Sequence, residues 1–126
     1  MRDGVIAIDK PEGFTSFDVV AKVRGMLHIR RVGHAGTLDP MATGVLPVFI
    51  GRATRAVEFA EKGDKEYIAG LCLGTVTDTQ DTTGRILSQS DGDLPAEAVA
   101  AALPRFAGDI LQVPPMYSAI KKDGKK

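Results

Sequence analysis

Residues 4–27 read GVIAIDKPEGFTSFDVVAKVRGML and describe a strand, a turn and a helix in succession. The apolar run Gly4–Asp9 predicts a buried strand, and the KPEG sequence after it predicts a turn. Thr15 and Asp18 have the spacing of a capping box, with Ser16 as an alternative cap. Apolar side chains then recur at helical spacing, which predicts a helix with one apolar face over Ser16–Leu27.

The rest of the chain predicts short elements that alternate irregularly. Residues 66–75 alternate large and small side chains, a pattern that is typical of a strand with one packed face. Strands and helices in this order, with hairpins, favour an α+β fold with a mixed sheet and flanking helices over a doubly wound parallel sheet. The further predicted elements are a long ordered loop Arg30–Pro47, a strand Val45–Ile50, a helix Arg52–Ala60, a strand Glu66–Thr75, a loop Thr77–Gly84, a strand Arg85–Gln89, a helix Ala96–Leu103 and a strand Asp109–Val113.

Composition narrows the class of protein. The chain has 126 residues, of which 44% are hydrophobic and 25% charged, so we expect one folded domain rather than a disordered chain. No apolar run approaches the roughly 20 residues that a membrane span needs, and the amino terminus does not resemble a signal peptide. A single cysteine, Cys72, excludes an intrachain disulfide and a cysteine-rich zinc site, which fits a reducing cytoplasm.

The zero net charge conceals an uneven distribution along the sequence. Residues 20–55 contain six basic side chains and one acid, Asp39, whereas residues 56–111 contain four basic and ten acidic side chains. Residues 112–126 are basic again, with four lysines and one aspartate. The two basic stretches could together bind a polyanion, or they could be ordinary solvated faces.

The densest candidate site is the glycine-rich stretch GHAGTLDPMATG at residues 33–44. Asp39 is an acid in a basic region and is ionised at neutral pH, so it could act as a nucleophile or as a base. Pro40 fixes the backbone directly after it. The alternative interpretation is that Asp39-Pro40 is merely a turn. His34 could contact a base or a phosphate, or it could satisfy a buried backbone group.

The sequence offers further candidate sites outside this stretch. Tyr67 opens a predicted strand, where its ring could stack on a base or pack in the core. Lys10 places a cation at the end of the first strand. The stretch TDTQDTTG at residues 77–84 lacks the glycine and glutamate that an EF-hand loop requires, so we reject a calcium site there. His28 and His34 have no matching acid or cysteine set, which leaves no predicted metal site.

Taken together, these motifs resemble the TruB family of tRNA pseudouridine synthases. The resemblance covers nearly the whole chain, and the blocks follow the family's order and spacing. The aspartate block is the most specific of them. The matching blocks are Lys10-Pro11, residues 33–40 with 42–47, Lys65-Glu66-Tyr67, Thr77-Asp78-Thr79 with Asp81 and Gly84, and QVPPMYSAIK at residues 112–121.

The resemblance implies isomerisation of uridine 55 in the TΨC arm of tRNA, with the target base flipped out of the stem-loop. It implies a catalytic role for Asp39 at the ribose C1′ and for Tyr67, which would stack on the base. His34, Lys10, Thr37 and Leu38 would lie at the substrate. It also implies the pseudouridine synthase catalytic fold with a largely antiparallel sheet, no cofactor or metal, and a cytoplasmic protein, expected to be a monomer.

Family members are much longer than 126 residues. The family arginine that pairs with the catalytic aspartate would fall beyond Lys126. The resemblance therefore identifies residues 1–126 as the amino-terminal portion of a catalytic domain, with an incomplete sheet and without the carboxy-terminal RNA-binding domain. Such a fragment is expected to be weakly active or inactive alone.

Two other functions remain open on the sequence. The chain could be an RNA-binding or folding-chaperone module without chemistry. It could also be a nucleoside or sugar hydrolase that uses Asp39, which would need a second carboxylate as the acid, such as Asp78 or Asp81.

Overall fold

A computed structural model describes residues 3–113 of the chain. It contains helices and antiparallel sheets, which confirms the predicted α+β class. The chain divides into two compact units between Tyr67 and Ile68. The elements of the described part are β1 Gly4–Lys10, α1 Ser16–Leu27, β2 Val32–His34, β3 Gly44–Ile50, α2 Val57–Ala60, β4 Thr75–Thr77, β5 Ile86–Gln89 and α3 Ala96–Ala102, with 3-10 helices at Gly51–Ala56 and Leu103–Phe106.

The first unit is a three-stranded sheet with helix α1 packed on one face. The strand order is β1-β3-β2, and the central strand β3 runs antiparallel to both neighbours. Side chains on alternate strand positions meet the apolar stripe of α1, and each fully buried aliphatic side chain contributes about 1.5–3 kcal/mol. The core consists of Val19, Val20, Val23, Val32, Leu46, Val48 and Ile50.

Helix α1 begins with the predicted capping box. The Thr15 hydroxyl accepts a hydrogen bond from the Asp18 amide at 3.0 Å, and the Asp18 carboxylate accepts from the Thr15 hydroxyl at 2.6 Å and its amide at 2.8 Å. These hydrogen bonds, first that from the hydroxyl, hold the pKa of Asp18 below its usual value. Thr15 is therefore the cap, and Ser16, the alternative, is instead the first helical residue.

Three predictions for the first unit need correction. The strand β1 is not fully buried, because α1 covers only one face of the sheet and leaves Val5 on the other face exposed. The long loop predicted over Arg30–Pro47 is shorter, since Val32–His34 forms an edge strand against β3. Three residues carry too short a pattern to reveal a strand. The predicted helix over Arg52–Ala60 starts as a 3-10 helix and turns α-helical only at Val57.

The second unit contains the hairpin β4–β5 and helix α3. The strand predicted over Arg85–Gln89 is confirmed and starts one residue later, at Ile86, and the helix predicted over Ala96–Leu103 is confirmed as Ala96–Ala102. The strand predicted over Glu66–Thr75 is wrong, because only Thr75–Thr77 pairs. A strand needs a hydrogen-bonded neighbour, and within residues 3–113 no backbone hydrogen bond joins residues 66–73 to another segment, whereas the Gly74 carbonyl accepts from the Ser90 amide at 2.7 Å beside the hairpin. The strand predicted over Asp109–Val113 is wrong for the same reason.

Candidate functional site

Residues 35–43, here called the aspartate loop, join β2 to β3. The loop begins on the sheet, where the Ala35 amide donates to the Pro47 carbonyl at 3.0 Å. Gly36 follows with φ +74°, a left-handed conformation that glycine adopts at little cost. Hydrogen bonds to the end of β1 and the start of α1 then hold the loop against the rest of the unit.

The two residues that flank Asp39 are both fixed. Leu38 packs its side chain against the core, and its backbone is hydrogen-bonded on both sides to the Ser16 hydroxyl, at 3.0 Å from its amide and 3.1 Å from its carbonyl. The Pro40 carbonyl accepts from the Gly13 amide at 2.8 Å and from Lys10 Nζ at 3.4 Å. Asp39 is therefore held between two anchored neighbours.

Asp39 also opens a tight turn. Its carbonyl accepts from the Ala42 amide at 3.0 Å, and aspartate followed by proline is a favoured start for such a turn. An aspartate in this position often accepts a hydrogen bond from the backbone two residues on. The exposed Asp39 carboxylate accepts none from any group in residues 3–113. Asp39-Pro40 therefore does form a turn, but this turn does not use the carboxylate, which is free to act on a ligand.

Lys10 lies in the interior rather than at the surface. Its side chain is fully buried, and Nζ donates to the carbonyls of Phe14 at 2.6 Å, Pro11 at 3.0 Å and Pro40 at 3.4 Å. An ammonium group has three hydrogens, so these three acceptors use its donors. The geometry gives Lys10 the task of joining the turn after β1 to the aspartate loop.

His34 is half-buried at the end of β2. Its Nδ1 is hydrogen-bonded to the Gly36 carbonyl. Because a carbonyl can only accept, Nδ1 carries the hydrogen, and in the neutral ring Nε2 is left as an acceptor. Thr37, the next residue of the loop, is exposed. His34 and Thr37 thus offer polar groups on the loop that carries Asp39.

Tyr67 is exposed and lies outside any strand. The segment before it reaches the aspartate loop, since a methyl group on Gly36 would lie 4.0 Å from Cε of Lys65. The Lys65 ammonium donates to the carbonyls of Glu61 at 2.7 Å and Gly63 at 3.1 Å, which folds this segment on itself. The aromatic ring is available to a ligand, although not from the start of a strand as the alternating pattern predicted.

Asp81 does not suit the role of an acid in a hydrolase. Its carboxylate accepts from the hydroxyls of Thr83 at 2.6 Å and Thr79 at 2.7 Å. These bonds, the Thr83 hydroxyl first, hold the pKa of Asp81 below its usual value, whereas a general acid must keep its proton at neutral pH. Asp78 accepts from the Arg85 amide at 2.8 Å.

Residues 3–113 contain no group of three or more His, Cys, Asp or Glu side chains that could hold a metal ion. No helix among them is long and apolar enough to cross a membrane. The second predicted basic stretch, residues 112–126, and the QVPPMYSAIK block begin at residue 112. From position 114 onward both lie outside the described residues.

The site contains one residue that the sequence did not single out. The sequence suggests only a helix-capping role for Ser16. In the structure its hydroxyl is hydrogen-bonded to the aspartate loop, 22 residues further along the chain. A lone serine after a capping threonine carries no periodic or spacing signal for such a contact.

The backbone at Gly36 gives a paired prediction. We expect Gly36→Ala to destabilise the protein by about 1 kcal/mol, because a side chain strains the left-handed backbone even though its Cβ would meet only ordinary contacts. Gly25→Ala, inside α1 with no atom within 4 Å of the new Cβ, is expected to stabilise it by about 0.5–1 kcal/mol. Urea denaturation of the two variants measures the change in the free energy of unfolding, which should be opposite in sign for the two. Equal effects would contradict the role assigned to the Gly36 conformation.

Comparison with known families matches residues 24–126 to the TruB family pseudouridylate synthase (N terminal domain). The chain is 50% identical over 123 residues to tRNA pseudouridine synthase B of Syntrophotalea carbinolica, covering 97% of this chain and 40% of that protein. It is 48% identical over 124 residues to tRNA pseudouridine synthase B of Clostridium kluyveri, covering 98% of this chain and 43% of that protein. The chain thus spans about two fifths of these curated relatives.

Two solved structures resemble the chain in fold. The crystal structure of a Cbf5-Nop10-Gar1 complex aligns with a TM-score of 0.64 and 33% identity, over 94% of this chain and 31% of that one. The structure of an H/ACA RNP bound to a substrate RNA containing 2′-deoxyuridine aligns with a TM-score of 0.60 and 31% identity, over 88% and 30% of the two chains.

Proposed function

The chain belongs to the TruB family of pseudouridylate synthases, and on that premise we propose that it isomerises a uridine of tRNA to pseudouridine. The target we propose is uridine 55 in the TΨC arm. The single observation that carries this proposal is the exposed Asp39 carboxylate, which is not used by its own turn and is held between two anchored residues. That is the arrangement a reacting carboxylate needs.

The proposed reaction breaks one bond to the ribose and forms another. The N1–C1′ bond of the uridine is cleaved, the base rotates, and C5 bonds to C1′, after which C5 loses its proton and N1 gains one. Cleavage leaves positive character on C1′, which the Asp39 carboxylate would either capture as a covalent bond or stabilise electrostatically. Because the base is stacked in the arm, it must first be flipped out.

The structure supports different roles for the remaining site residues. We propose that the exposed Tyr67 ring stacks on the flipped base, since exposed aromatic rings are common platforms for splayed-out RNA bases. His34 and Thr37 would contact the nucleotide from the aspartate loop. Lys10 and Leu38, whose polar groups are already used inside the protein, would hold the loop rather than touch RNA.

The charge distribution supports an RNA partner. Residues 20–55 carry six basic side chains against one acid, and we propose that some of them bind the phosphates of the TΨC stem-loop and so position it. We further propose that residues 1–126 form the amino-terminal portion of a catalytic domain that acts in the cytoplasm as a monomer. The second candidate function is RNA binding without chemistry, which the same basic stretch favours.

Tritium release separates the two functions. Transcribed tRNA carrying [5-³H]uridine would be mixed with an excess of the protein, because single-turnover conditions reveal even slow chemistry. Of the two outcomes that the sequence left open for these residues, weak activity or none, the proposal commits to weak activity: tritium should appear slowly in water, and pseudouridine should map to position 55 of the product. Binding of the tRNA without release would overturn the enzymatic proposal and leave the binding module. Release with pseudouridine at another position would overturn the proposed target alone.

A further inference from the structure

We propose that Ser16 is a positioning residue for Asp39, acting through the backbone of Leu38. This inference rests on the proposed function, because it assigns Ser16 a part in the reaction of that same site. The observation behind it is a pair of hydrogen bonds between one buried hydroxyl and both backbone groups of one residue.

The Ser16 side chain is 3% exposed and faces the aspartate loop. Its hydroxyl accepts from the Leu38 amide at 3.0 Å and donates to the Leu38 carbonyl at 3.1 Å. A serine hydroxyl has one hydrogen and two lone pairs, so it can make both bonds at once. Together they restrain the peptide groups on both sides of the Leu38 Cα.

The carbonyl that Ser16 holds belongs to the peptide bond that joins Leu38 to Asp39. Fixing that peptide plane fixes where the Asp39 backbone begins, and Pro40 fixes where it ends. Ser16 itself is set by helix α1, which the core holds through Val20 and Val23. The hydroxyl therefore transmits the position of a rigid helix to the reacting carboxylate.

Ser16 is not needed to start the helix. The neighbouring Thr15 already caps α1 through its reciprocal bonds with Asp18, and the Ser16 hydroxyl makes no hydrogen bond within the helix. The two adjacent residues thus divide the work: one stabilises the helix end, and the other holds the loop. This division supplies a matched control within the same turn of the chain.

The test measures single-turnover tritium release by the 126-residue chain over a range of protein concentrations. We expect Ser16→Ala to lower the rate at saturation on the order of 10- to 100-fold, because small displacements of a reacting group are costly. The half-saturating concentration should change less than about threefold, since no phosphate or base contact is removed. Ser16→Thr, which keeps the hydroxyl, should recover most of the rate.

Thr15→Ala is the control for loss of stability at this helix end. It should lower the thermal unfolding midpoint while leaving the rate of tritium release within about threefold of the original at a temperature where the variant is folded. Amide hydrogen exchange gives a readout independent of activity: Ser16→Ala should speed exchange at Leu38 and leave the amides of Val20 and Val23 unchanged.

Each outcome decides between defined alternatives. A Ser16→Ala rate equal to the original, or equal losses in the Ser16→Ala and Thr15→Ala proteins, would overturn the positioning role. An Asp39→Asn protein measured in parallel separates this from failure of the proposed function. If Asp39→Asn abolishes release while Ser16→Ala does not slow it, only the inference about Ser16 fails. If Asp39→Asn releases tritium normally, or the original chain releases none, the proposed function fails and takes this inference with it.

Discussion

Replacing Asp39 by asparagine is expected to reduce pseudouridine formation by at least about a thousandfold. The amide has nearly the shape of the carboxylate but carries no charge, so it can neither capture nor stabilise the positive C1′. Because the carboxylate makes no hydrogen bond to the rest of residues 3–113, the substitution leaves the turn and its anchors in place. Binding of tRNA should therefore survive, and tritium release with a parallel binding assay measures both quantities.

Two further variants show whether the loss of rate comes from the missing charge or from the position of the carboxylate. Asp39→Glu keeps the charge but moves the carboxylate by one methylene, and we expect a loss on the order of a hundredfold. Asp109→Asn changes the net charge by the same amount at another exposed position and should leave the rate unchanged. If Asp39→Asn retained a tenth or more of the original rate, Asp39 would not be the reacting group. If it also lost tRNA binding, the carboxylate would be serving recognition or the fold.

Local patterns in the sequence predicted much of the first unit. The apolar run before Lys10 and the helical spacing after Thr15 depend on neighbours a few residues apart, and both elements formed where predicted. The capping box is another local device, fixed by residues three apart. The candidate role of the aspartate loop also came from local composition, because an acid between glycines and before a proline is unusual, and that role stays a prediction.

Features that depend on distant contacts were not predictable in this way. The Ser16 hydroxyl and the Lys10 ammonium meet the aspartate loop across 22 and 30 residues of chain, and no periodicity encodes such meetings. The alternation over residues 66–75 is the reverse case, since the sequence predicted a strand there that the structure does not contain. It satisfies the local rule for a strand, but pairing requires a neighbour, and within the described part only its last residue, Thr75, is paired.

The alternating segment also affects how Tyr67 is understood. The sequence placed its ring at the start of a strand, where sheet geometry would have aimed it. In the structure the ring belongs to an exposed segment whose lysine, Lys65, lies beside Gly36. A ring that is not fixed by a sheet can adapt to the base on which it stacks. We therefore expect the bound base to set the position of the Tyr67 ring, whereas the protein itself sets the position of Asp39.

Lys10→Met is expected to destabilise the protein by about 2–4 kcal/mol. Methionine fills nearly the same volume, but it removes the only side-chain donor to the Phe14 and Pro11 carbonyls within residues 3–113. The variant takes the donor away from carbonyls that face the buried end of this side chain, and losing one partner of a hydrogen bond costs more than the bond contributes in net terms. Among residues 3–113, the Pro40 carbonyl would keep only its bond from Gly13, so the aspartate loop should loosen as well. Urea denaturation followed by circular dichroism measures the change in unfolding free energy.

Lys22→Met is the matched control, because Lys22 lies exposed on α1 and makes no hydrogen bond to the described residues. The same exchange there should change the unfolding free energy by less than about 0.5 kcal/mol. Loosening of the aspartate loop predicts that Lys10→Met also slows tritium release at a temperature where the variant remains folded. A stable Lys10→Met protein with full activity would mean that the carbonyls find other donors and that the buried ammonium does not hold the loop. A destabilised protein with an unchanged rate of tritium release would mean that Lys10 stabilises the fold but does not position Asp39. Ser16 and Gly13 would then be the residues that anchor Asp39.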